Sequence, residues 1–563
     1  MPNNEYKNIR EIINRCVKTY PNNKAFIIKN ADKKTYTNIT YKQFGKDINN
    51  LGTALLKLGL KNKKIAIIGK NRYEWALSYY TVVNGLGIVV PLDKSLPDIE
   101  IENSLVLSHA NVVIFEGKYY SAIKNIIDNK TTNVSQLICM DKIDEDVENI
   151  PNLLKLGQIE TKKGNKEYSK LKIDNEKTNI ILFTSGTTKI AKAVELSHKN
   201  IASNINALHI AEKIYDTDVN MAFLPFHHTF GSTGLLFFLS AGATTVFCDG
   251  LKYVQKNLKE YKVSVFFCVP LIIEAMHKKI LHEVEKQGKL KKVKLGKKIS
   301  KFLLIFGIDI RRKLFKDIIN ALGGNIRFVI SGAAAIDKQV AKDFNDFGIL
   351  TVQGYGLTET SPVLTAENED NLRYGSIGKP LYNVQIKIDN PNENGIGEII
   401  AKGPNVMKGY YENEEETKEV LKDGWFYTGD LGYIDKDGFI YISGRKKNVI
   451  VLKNGKNIYP EELEILVSNL PYVSENLVFG VPKNDDLLLS AKIVYNKDYV
   501  NEKYPNASQE ELKDIIWQDI KNINSNLANY KHIKNIIVTD EPMIKTTTNK
   551  VKRNEEINKI LNS

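Results

Sequence analysis

The stretch from Thr184 to Thr188, with the sequence TSGTT, combines hydroxyl side chains with a glycine that lets the backbone curl. In such a loop, consecutive N–H groups and short hydroxyls can all point at one anion. Lys189 and Lys192 follow directly and supply positive charge. The spacing does not match the helix-linked phosphate loop GxxxxGK[ST]. Taken alone, the stretch indicates either an anion-binding loop or a plain polar turn between two strands.

A second candidate site is the sequence QGYGLTET, residues 353–360. Gly354 and Gly356 flank Tyr355, so a flat ligand could approach the aromatic ring closely. Thr358 offers a hydroxyl and Glu359 a carboxylate, a pair suited to phosphate-bound Mg²⁺. In isolation, a glycine-rich strand end explains the stretch better than a ligand site does.

Three further motifs lie toward the C-terminus. GWFYTGD ends at Asp430, whose carboxylate could accept hydrogen bonds from both hydroxyls of a ribose. GRKKN begins with Gly444 and Arg445, and the guanidinium could hold a ribose or a phosphate with two hydrogen bonds. TTTNKVKR places Lys550 among small polar residues, which suits either a mobile cationic finger or a solvated tail.

The elements that must position these motifs alternate along the chain. Helical patterns cover residues 9–19, 41–58, 72–84 and 96–108, and apolar strand-like runs cover 64–68, 88–91 and 111–115. This alternation predicts a parallel sheet with helices on both faces. Residues 143–177 are charged and weakly patterned, and we interpret them as a connector.

The alternation resumes after the TSGTT loop and predicts a second doubly wound unit over residues 178–360. The run 179–183 predicts a buried strand, 193–196 a return strand, and Ser197 the N-cap of the next helix. Residues 235–239, followed by 244–248, indicate a buried helix and a strand rather than a membrane span. Short alternating strands after Pro362 predict a small β-barrel or sheet, and the last hundred or so residues predict a small α+β domain.

Composition sets broad limits. The 563 residues exceed a single core, and 42% hydrophobic and 26% charged residues are typical of a soluble enzyme. The net charge of +13 suits anionic substrates or membrane surfaces, although Lys- and Asn-rich composition also follows from an AT-rich genome. Residues 286–316 interleave lysines with Leu, Ile and Phe, which indicates either a solvated helix pair or a surface for anionic lipid. Nucleic-acid binding is disfavoured because no aromatic platform accompanies the basic residues.

Five motifs occur in a fixed order: TSGTTxxxK, GYGLTET, GWFYTGD, the block from GRKKN to NGKNIYPEE, and TTTNKVKR. Together they resemble the adenylate-forming superfamily of AMP-dependent synthetases and ligases over about residues 10–555. LPFHHTFGSTG, SGAAAI and the basic insertion are similar to long-chain fatty acyl-CoA synthetases. The chain departs from the family pattern at Lys189, Ala191 and Ala193, which replace Gly, Pro and Gly, and at Asn549, which replaces Gly.

The resemblance implies ATP-dependent activation of a medium- or long-chain fatty acid to acyl-AMP, followed by thioester formation with coenzyme A. It implies that Thr358 contacts the α-phosphate, that Glu359 binds Mg²⁺, that His228 lies beside the acyl carboxylate, and that Lys550 bridges carboxylate and α-phosphate. The nucleotide-binding residues that it implies are Thr184, Ser185, Gly186, Thr187, Thr188 and Lys192 for the phosphates; Gly332, Ala333, Ala334, Gly354, Tyr355 and Gly356 for adenine; and Asp430 and Arg445 for ribose.

The expected fold class is α/β: a large N-terminal domain of two doubly wound sheets plus a small β-barrel, then a small mobile α+β C-terminal domain. The expected boundary divides residues 1–444 from 445–563, with a hinge near 445–450 at Lys447. A polar N-terminus and the absence of CxxC pairs predict a cytoplasmic protein, with peripheral contact at the inner membrane face through residues 286–316. Two alternatives remain open: a fatty acyl-AMP ligase or acyl-carrier-protein synthetase, and a nucleotide-binding scaffold that has lost catalysis.

Overall fold

The computed structural model describes residues 5–184, 192–453, 456–483, 486–545 and 551–562. By internal contacts the chain forms two compact units, residues 1–385 with 401–426 and residues 386–400 with 427–563. The predicted mixed α/β class is confirmed.

The strands, numbered along the chain, are β1 Lys24–Lys29, β2 Tyr36–Thr40, β3 Lys64–Ile68, β4 Ile88–Leu92, β5 Val112–Phe115, β6 Gln136–Cys139, β7 Glu148–Asn149, β8 Thr178–Thr184, β9 Lys192–Ser197, β10 Val219–Ala222, β11 Thr244–Phe247, β12 Val265–Cys268, β13 Phe328–Ser331, β14 Leu350–Gly356, β15 Val363–Ala366, β16 Lys379–Pro380, β17 Gln385–Asp389, β18 Gly397–Lys402, β19 Gly409–Tyr410, β20 Leu421–Lys422, β21 Trp425–Ile434, β22 Ile440–Arg445, β23 Ile450–Val451, β24 Asn457–Ile458, β25 Val473–Lys483, β26 Asp486–Tyr495 and β27 Asn535–Thr539.

The α-helices are α1 Ile9–Thr19, α2 Tyr41–Lys57, α3 Tyr73–Thr81, α4 Asp98–Leu107, α5 Tyr120–Asp128, α6 Ile150–Lys162, α7 His198–Ala211, α8 Thr229–Ser240, α9 Val254–Glu260, α10 Pro270–Lys286, α11 Leu290–Ile305, α12 Arg311–Leu314, α13 Lys316–Ala321, α14 Lys338–Asp346, α15 Glu414–Val420, α16 Pro460–Ser468, α17 Lys497–Lys503, α18 Gln509–Asn524 and α19 Arg553–Leu561. A π-helical turn covers Val82–Leu86, and 3₁₀ turns cover Gly117–Tyr119, Tyr168–Lys170, Leu251–Tyr253, Thr358–Thr360, Lys446–Asn448 and Asn529–Lys531.

Two large sheets form the first unit. One has the order β19-β9-β8-β4-β3-β5-β6-β7 and the other the order β16-β15-β14-β13-β12-β10-β11-β1-β2. Their central strands are parallel, as in β3 with β4 and β12 with β13. The apolar runs that predicted strands are fully buried, for example Val112–Phe115, because helices cover both faces.

Strand assignment to the two sheets differs from the simple order along the chain. The predicted second unit, residues 178–360, contributes β8 and β9 to the first sheet, beside β4. Conversely, β1 from the N-terminal part pairs in parallel with β11 of the other sheet. Hydrophobic periodicity predicts strands but not partners, since pairing depends on long-range packing.

Residues 143–177 are not a plain connector, because they contain the 13-residue helix α6. Asn149 caps α6 through its side chain, and Pro151 occupies the first turn. Gly157 lets α6 approach α2 closely: a Cβ atom built there would lie 1.7 Å from the Asn50 carbonyl oxygen. Because α6 is charged on its exposed side and contacts α2 through a glycine, its sequence shows only a weak apolar helical pattern, and the sequence alone indicates a connector.

The local predictions around the TSGTT loop are confirmed. The strands β8 and β9 pair antiparallel, with Thr184 opposite Lys192. Ser197 caps α7 in a capping box with Asn200. The apolar run 235–239 lies in the buried helix α8, and among the described residues no helix has the length and apolarity to cross a bilayer.

The second unit is built largely from β21 to β27. The predicted barrel is observed as a five-stranded sheet of β17, β18, β20, β21 and β22. A separate sheet, β25-β26-β27, packs on α16 and α18 around a core that includes Leu463, Val478 and Ile516. The C-terminal α+β architecture predicted from sequence is therefore present.

Candidate active site

The end of β14 carries the glycine-flanked tyrosine. Tyr355 lies opposite Thr365 on β15 and is half-buried. A Cβ atom at Gly356 would lie 1.8 Å from the Pro362 carbonyl oxygen, so only glycine permits this turn. The backbone at this strand end is therefore specified by sterics, and Tyr355 is held at the carboxyl edge of a parallel sheet, where ligands of α/β folds bind.

The segment 332–334 follows the neighbouring strand β13. Gly332 is buried, and a Cβ there would lie 2.9 Å from the Phe230 ring and 3.6 Å from the Gly354 carbonyl oxygen. Ala333 has φ +68° and is exposed, as is Ala334. The structure thus brings two predicted adenine-binding segments together, and their role in binding adenine stays a prediction.

Behind these segments, Gln353 and Glu367 support β14. The Gln353 amide oxygen accepts from Ile336 N–H at 2.7 Å, and the Glu367 carboxylate accepts from Gln353 N–H at 3.1 Å. Burial raises the pKa of Glu367 to about 7, although hydrogen bonds from Arg373 and Gln353 oppose this. Because the folded protein holds this proton more tightly than the unfolded chain, the contribution of Glu367 to stability falls as pH rises from 4.5 to about 7.

The turn Thr358–Thr360 continues directly from β14 and presents Thr358 and Glu359, both half-buried. The Glu359 carbonyl oxygen accepts from Met407 N–H at 2.7 Å. The Tyr410 hydroxyl donates to Glu359 Oε1 at 3.0 Å. Tyr410 on β19 therefore holds the carboxylate of Glu359, and Met407, just before β19, holds its backbone.

Thr184 and Lys192 end the two strands that flank the TSGTT loop. The Thr184 hydroxyl donates to the Lys192 carbonyl oxygen at 3.3 Å. Lys192 Nζ lies 3.2 Å from Glu416 Oε1 and 4.9 Å from the centroid of the Tyr410 ring. Lys192 and Glu359 consequently contact the same tyrosine. The predicted residues Ser185, Gly186, Thr187, Thr188 and Lys550 lie outside the described residues.

His228 begins α8, with extended backbone angles and its N–H bonded to the Pro225 carbonyl oxygen at 3.2 Å. The ring centroids of His228 and His227 are 4.3 Å apart, and His227 Nε2 lies 3.4 Å from Asp93 Oδ2. The Thr233 hydroxyl of α8 donates to the Ser361 carbonyl oxygen at 3.3 Å. The helix that carries His228 is thereby tied to the turn that carries Glu359.

Asn71 joins the two sheets beside this histidine loop. Its amide oxygen accepts from Phe226 N–H at 2.9 Å, and its amide nitrogen donates to the Leu224 carbonyl oxygen at 2.7 Å. Asn71 follows β3 of one sheet, whereas residues 224–226 follow β10 of the other. The Asn71 side chain therefore supplies the loop that leads to His228 with backbone hydrogen bonds that a neighbouring strand would otherwise make.

In the second unit, Asp430 and Arg445 lie opposite each other on β21 and β22. Arg445 Nε lies 2.8 Å from Asp430 Oδ1, and the carboxylate is almost fully buried. Gly429, with φ +72°, donates its N–H to Glu398 at 3.0 Å. The structure brings this predicted pair together, as expected for residues that share one ligand group.

Lys447 lies in the exposed 3₁₀ turn Lys446–Asn448, directly after β22. The flanking residues Arg445 and Val449 have extended backbone angles. Its neighbour Lys446 is paired with Glu398 at 2.8 Å, which raises the pKa of Lys446. A short turn between extended residues is a suitable place for a hinge, and that role stays a prediction.

The site residues that sequence reasoning missed are Tyr410, Glu416, Asn71, His227 and Asp93. His227 lies in the quoted segment LPFHHTFGSTG but had no role assigned to it, and the other four lie outside the quoted motifs. Each contacts a partner distant in sequence, such as Glu359 for Tyr410. His227 adjoins a predicted residue, but its partner Asp93 follows β4. A single sequence carries no signal for such pairings.

Comparison with known proteins places these observations in context. Residues 13–411 match the model of the AMP-binding enzyme family, and residues 447–560 match that of the AMP-binding enzyme C-terminal domain. The chain is 30% identical to fatty acyl-CoA synthetase A of Dictyostelium discoideum, over 92% of this chain and 83% of that protein. It is 26% identical to a chloroplastic long-chain-fatty-acid–[acyl-carrier-protein] ligase of Arabidopsis thaliana, over 92% and 80%.

Among solved structures, the fold is similar to that of an anthranilate CoA ligase in complex with anthranoyl-AMP. The TM-score is 0.79 at 20% sequence identity, and the match covers 99% of this chain and 97% of that one. At this identity the likeness concerns the fold.

We expect Asn71→Ala to loosen the loop that leads to His228, because two backbone groups lose their partners. Hydrogen–deuterium exchange of peptides covering residues 222–232 should accelerate by roughly tenfold, as for loss of one to two hydrogen bonds of about 1 kcal/mol each. The control is Asn22→Ala, an exposed asparagine outside this loop that does not have a positive φ. Unchanged exchange in the Asn71 variant would show that the loop is held by other contacts.

Proposed function

Because the chain belongs to the AMP-binding enzyme family, we propose that it is an ATP-dependent ligase that joins a medium- or long-chain fatty acid to coenzyme A. The observation that carries this proposal is that Tyr410 on β19 contacts both the Lys192 ammonium group and the carboxylate of Glu359, which lies just after β14. The fatty acid substrate is supported by relatives named fatty acyl-CoA synthetase.

The reaction has two steps. A carboxylate oxygen attacks the α-phosphorus of ATP, the bond to the β-phosphate oxygen breaks, and pyrophosphate leaves with the electron pair. The sulfur of coenzyme A then attacks the acyl carbon, AMP leaves, and the thiol proton is released. Two anions meet in the first step, so cations and N–H donors must offset their repulsion in the transition state.

The proposed roles are those that the family resemblance implies, taken one unit at a time. In the first, Thr184, Lys192 and residues 185–188 bind the phosphates, residues 332–334 and 354–356 hold adenine, and Thr358 contacts the α-phosphate. His228 lies beside the acyl carboxylate, on a loop held by Asn71. In the second, Asp430 and Arg445 hold the ribose. Lys550 neutralises the approach of carboxylate to α-phosphate.

A Mg²⁺ ion would be held by Glu359. The carboxylate is half-buried and one oxygen already accepts the Tyr410 hydroxyl. Mg²⁺ in nucleotide sites uses one or two carboxylates together with substrate phosphates, which fits a single acidic side chain. Within the described residues, no group of three or more His, Cys, Asp or Glu side chains is placed so that it could hold a metal ion by itself. When bound, the ion neutralises charge on the phosphates.

An acyl carrier protein is the alternative acceptor. The Arabidopsis relative named as an acyl-carrier-protein ligase keeps this candidate open. Titration with coenzyme A separates the candidates: a ligase of the proposed kind releases AMP only when the thiol is present, whereas an enzyme that uses a carrier protein needs that protein instead.

The proposed function is tested by AMP release with ATP, coenzyme A and acids from acetate to oleate. We expect release to depend on both ATP and coenzyme A and to be greatest for acids of medium or long chain. Glu359→Gln should lower the rate by roughly one to three orders of magnitude, since it removes the charge beside the phosphates. Equal AMP release with and without acid would contradict the proposal.

We further propose that residues 445–563 act as a mobile C-terminal domain that turns about a hinge at 445–450. Support comes from the two family matches, which end at residue 411 and resume at 447. The exposed turn that holds Lys447 is a site where one torsion change reorients everything downstream. In this proposal Lys550 acts during formation of acyl-AMP, and the domain rotation moves it away before the thioester forms.

We expect Lys550→Ala to abolish acid-dependent pyrophosphate exchange but to leave conversion of supplied acyl-AMP to the thioester. Lys447→Pro, which fixes φ, should spare the first step and slow the second by about tenfold or more. Lys447→Ala is the matched control because it removes the charge without restricting the backbone. If both Lys550→Ala and Lys447→Pro impair both steps equally, the two-pose mechanism is wrong.

We also propose a cytoplasmic location with peripheral contact to anionic membranes, through α11 and the residues that follow it. The outer face of this segment exposes a row of large apolar side chains, 45–78% accessible: Leu295, Ile299, Phe302, Ile305, Phe306 and Ile308. Phe302 and Phe306 contact each other with ring centroids 5.2 Å apart. The first five positions follow helical spacing, so they form one apolar stripe.

The opposite side of α11 is fixed to the domain. Gly296 and Ser300 are buried, and Lys297 lies 2.6 Å from Asp343 and over the Phe347 ring. Four exposed lysines, Lys291, Lys292, Lys294 and Lys298, make no ion pair within the described residues. An apolar stripe flanked by unpaired lysines suits a surface of negatively charged lipid headgroups.

Substitution of the four lysines by alanine should reduce co-sedimentation with phosphatidylglycerol vesicles by at least about tenfold, since each contributes on the order of 1 kcal/mol. The control replaces Lys61, Lys63, Lys162 and Lys166, which are exposed elsewhere on the first unit. Ile305→Ser should weaken binding independently of salt. Equal partition of the wild-type protein onto phosphatidylcholine and phosphatidylglycerol vesicles would contradict the electrostatic contribution.

A further inference from the structure

We propose that Tyr410 and Glu416 are positioning residues of the nucleotide site, which hold Lys192 and Glu359 apart and ready for phosphates and metal. This inference rests on the proposed function. Neither residue belongs to the motifs that carry the family resemblance. Their assignment comes from the tertiary contacts alone.

Tyr410 separates two opposite charges. Its ring face receives the Lys192 ammonium group, 4.9 Å from the centroid, and its hydroxyl donates to Glu359 Oε1 at 3.0 Å. The ring face is electron-rich and attracts a cation, whereas the hydroxyl hydrogen attracts an anion. One rigid side chain therefore satisfies both groups without letting them pair directly.

The tyrosine itself is firmly held. It is 7% exposed, and its backbone lies opposite Val194 in the pairing of β19 with β9. Its N–H donates to the Thr417 hydroxyl at 2.9 Å, and Met407, three residues earlier, binds the Glu359 carbonyl oxygen. A side chain supported in this way has little freedom, so the distance between Lys192 and Glu359 is set by the fold.

A direct ion pair between Lys192 and Glu359 would defeat the site. Each group would neutralise the other, and the space between them that the triphosphate and its metal need would close. The aromatic spacer keeps both charges available. A phenylalanine would keep the ring but could not orient the carboxylate, since only the hydroxyl donates to Glu359.

Glu416 completes the arrangement as an exchangeable counter-ion. Its carboxylate lies 3.2 Å from Lys192 Nζ, and both side chains are about one-third exposed or less, at 30% and 26%. Such a solvent-screened pair is weak. Incoming phosphates, which carry more negative charge, can therefore replace Glu416 on Lys192 while the ring contact persists.

The test separates nucleotide from metal. Wild-type protein and variants are titrated with Mn²⁺ in the presence of a non-hydrolysable ATP analogue, with free Mn²⁺ read by electron paramagnetic resonance, and with the analogue alone by calorimetry. Tyr410→Phe should weaken Mn²⁺ binding by about tenfold, as for loss of a hydrogen bond to a charged group, and change metal-free nucleotide binding by less than about twofold.

Tyr410→Leu also removes the ring and should weaken metal-free nucleotide binding by about threefold or more, because Lys192 loses its cation–π contact. Glu416→Gln should strengthen nucleotide binding by about twofold to fivefold at low ionic strength, with the gain lost in salt. Tyr411→Phe is the matched control, because the Tyr411 hydroxyl contacts Lys64 and not this site. It should leave both affinities unchanged.

Unchanged Mn²⁺ affinity in Tyr410→Phe, with normal binding by the wild type, would overturn this inference alone. Equal loss of metal and nucleotide binding in Tyr410→Phe and Tyr411→Phe would overturn it too, since a general structural effect would then suffice. If the wild-type protein binds no nucleotide, the proposed function fails and the inference fails with it. Should Tyr410→Leu not fold, the phenylalanine and Glu416→Gln variants still decide the outcome.

Discussion

The first unit depends on one constraint: the loops at the carboxyl ends of parallel strands in two different sheets must lie close to one another. Parallel strands end at the same edge, but nothing in that rule aligns one sheet with another. Asn71 supplies the alignment, since it follows β3 and binds backbone groups of residues 224 and 226 after β10. The His227–Asp93 contact repeats this link between the same two sheets. The loop with His228 is thus held by side chains of the other sheet.

Close steric contacts fix the backbone at the end of β14. Gly332, Gly354 and Gly356 occupy positions where a side chain would meet another part of the chain or narrow the space beside it. The helix α8 closes on this region through Phe230 against Gly332 and through Thr233 with Ser361. The result is a stiff strand end that presents Tyr355, Thr358 and Glu359 within five residues of the chain. Preorganisation of this kind is what stabilisation of a charged transition state requires.

In the second unit, the C-terminal segment is anchored on both sides of residues 546–550 by charge pairs. Lys545 and Val551 form a backbone bridge, and Lys545 is paired with Glu475 at 2.6 Å. Lys492 and Glu556 form a pair that is 6% and 1% exposed, and Glu556 also accepts from Ile544 N–H. A buried pair of this kind is sensitive to loss of one partner, because the other is left charged and unsolvated. These contacts tie the C-terminal helix α19 to β26.

The α/β class, most element positions in the first unit and the candidate residues could be predicted from the sequence, because periodicity and glycine-rich motifs are local signals. Helix α1 and strand β3 were predicted with their observed bounds, and Ser197 was identified as a cap. Three features could be seen only in the folded chain: β1 joins the second sheet, residues 150–162 form a helix against α2, and Tyr410 lies between Lys192 and Glu359. These features arise from contacts between residues far apart in the chain. The free energies of these contacts depend on which surfaces pack together, and no local pattern in a single sequence shows which surfaces those are.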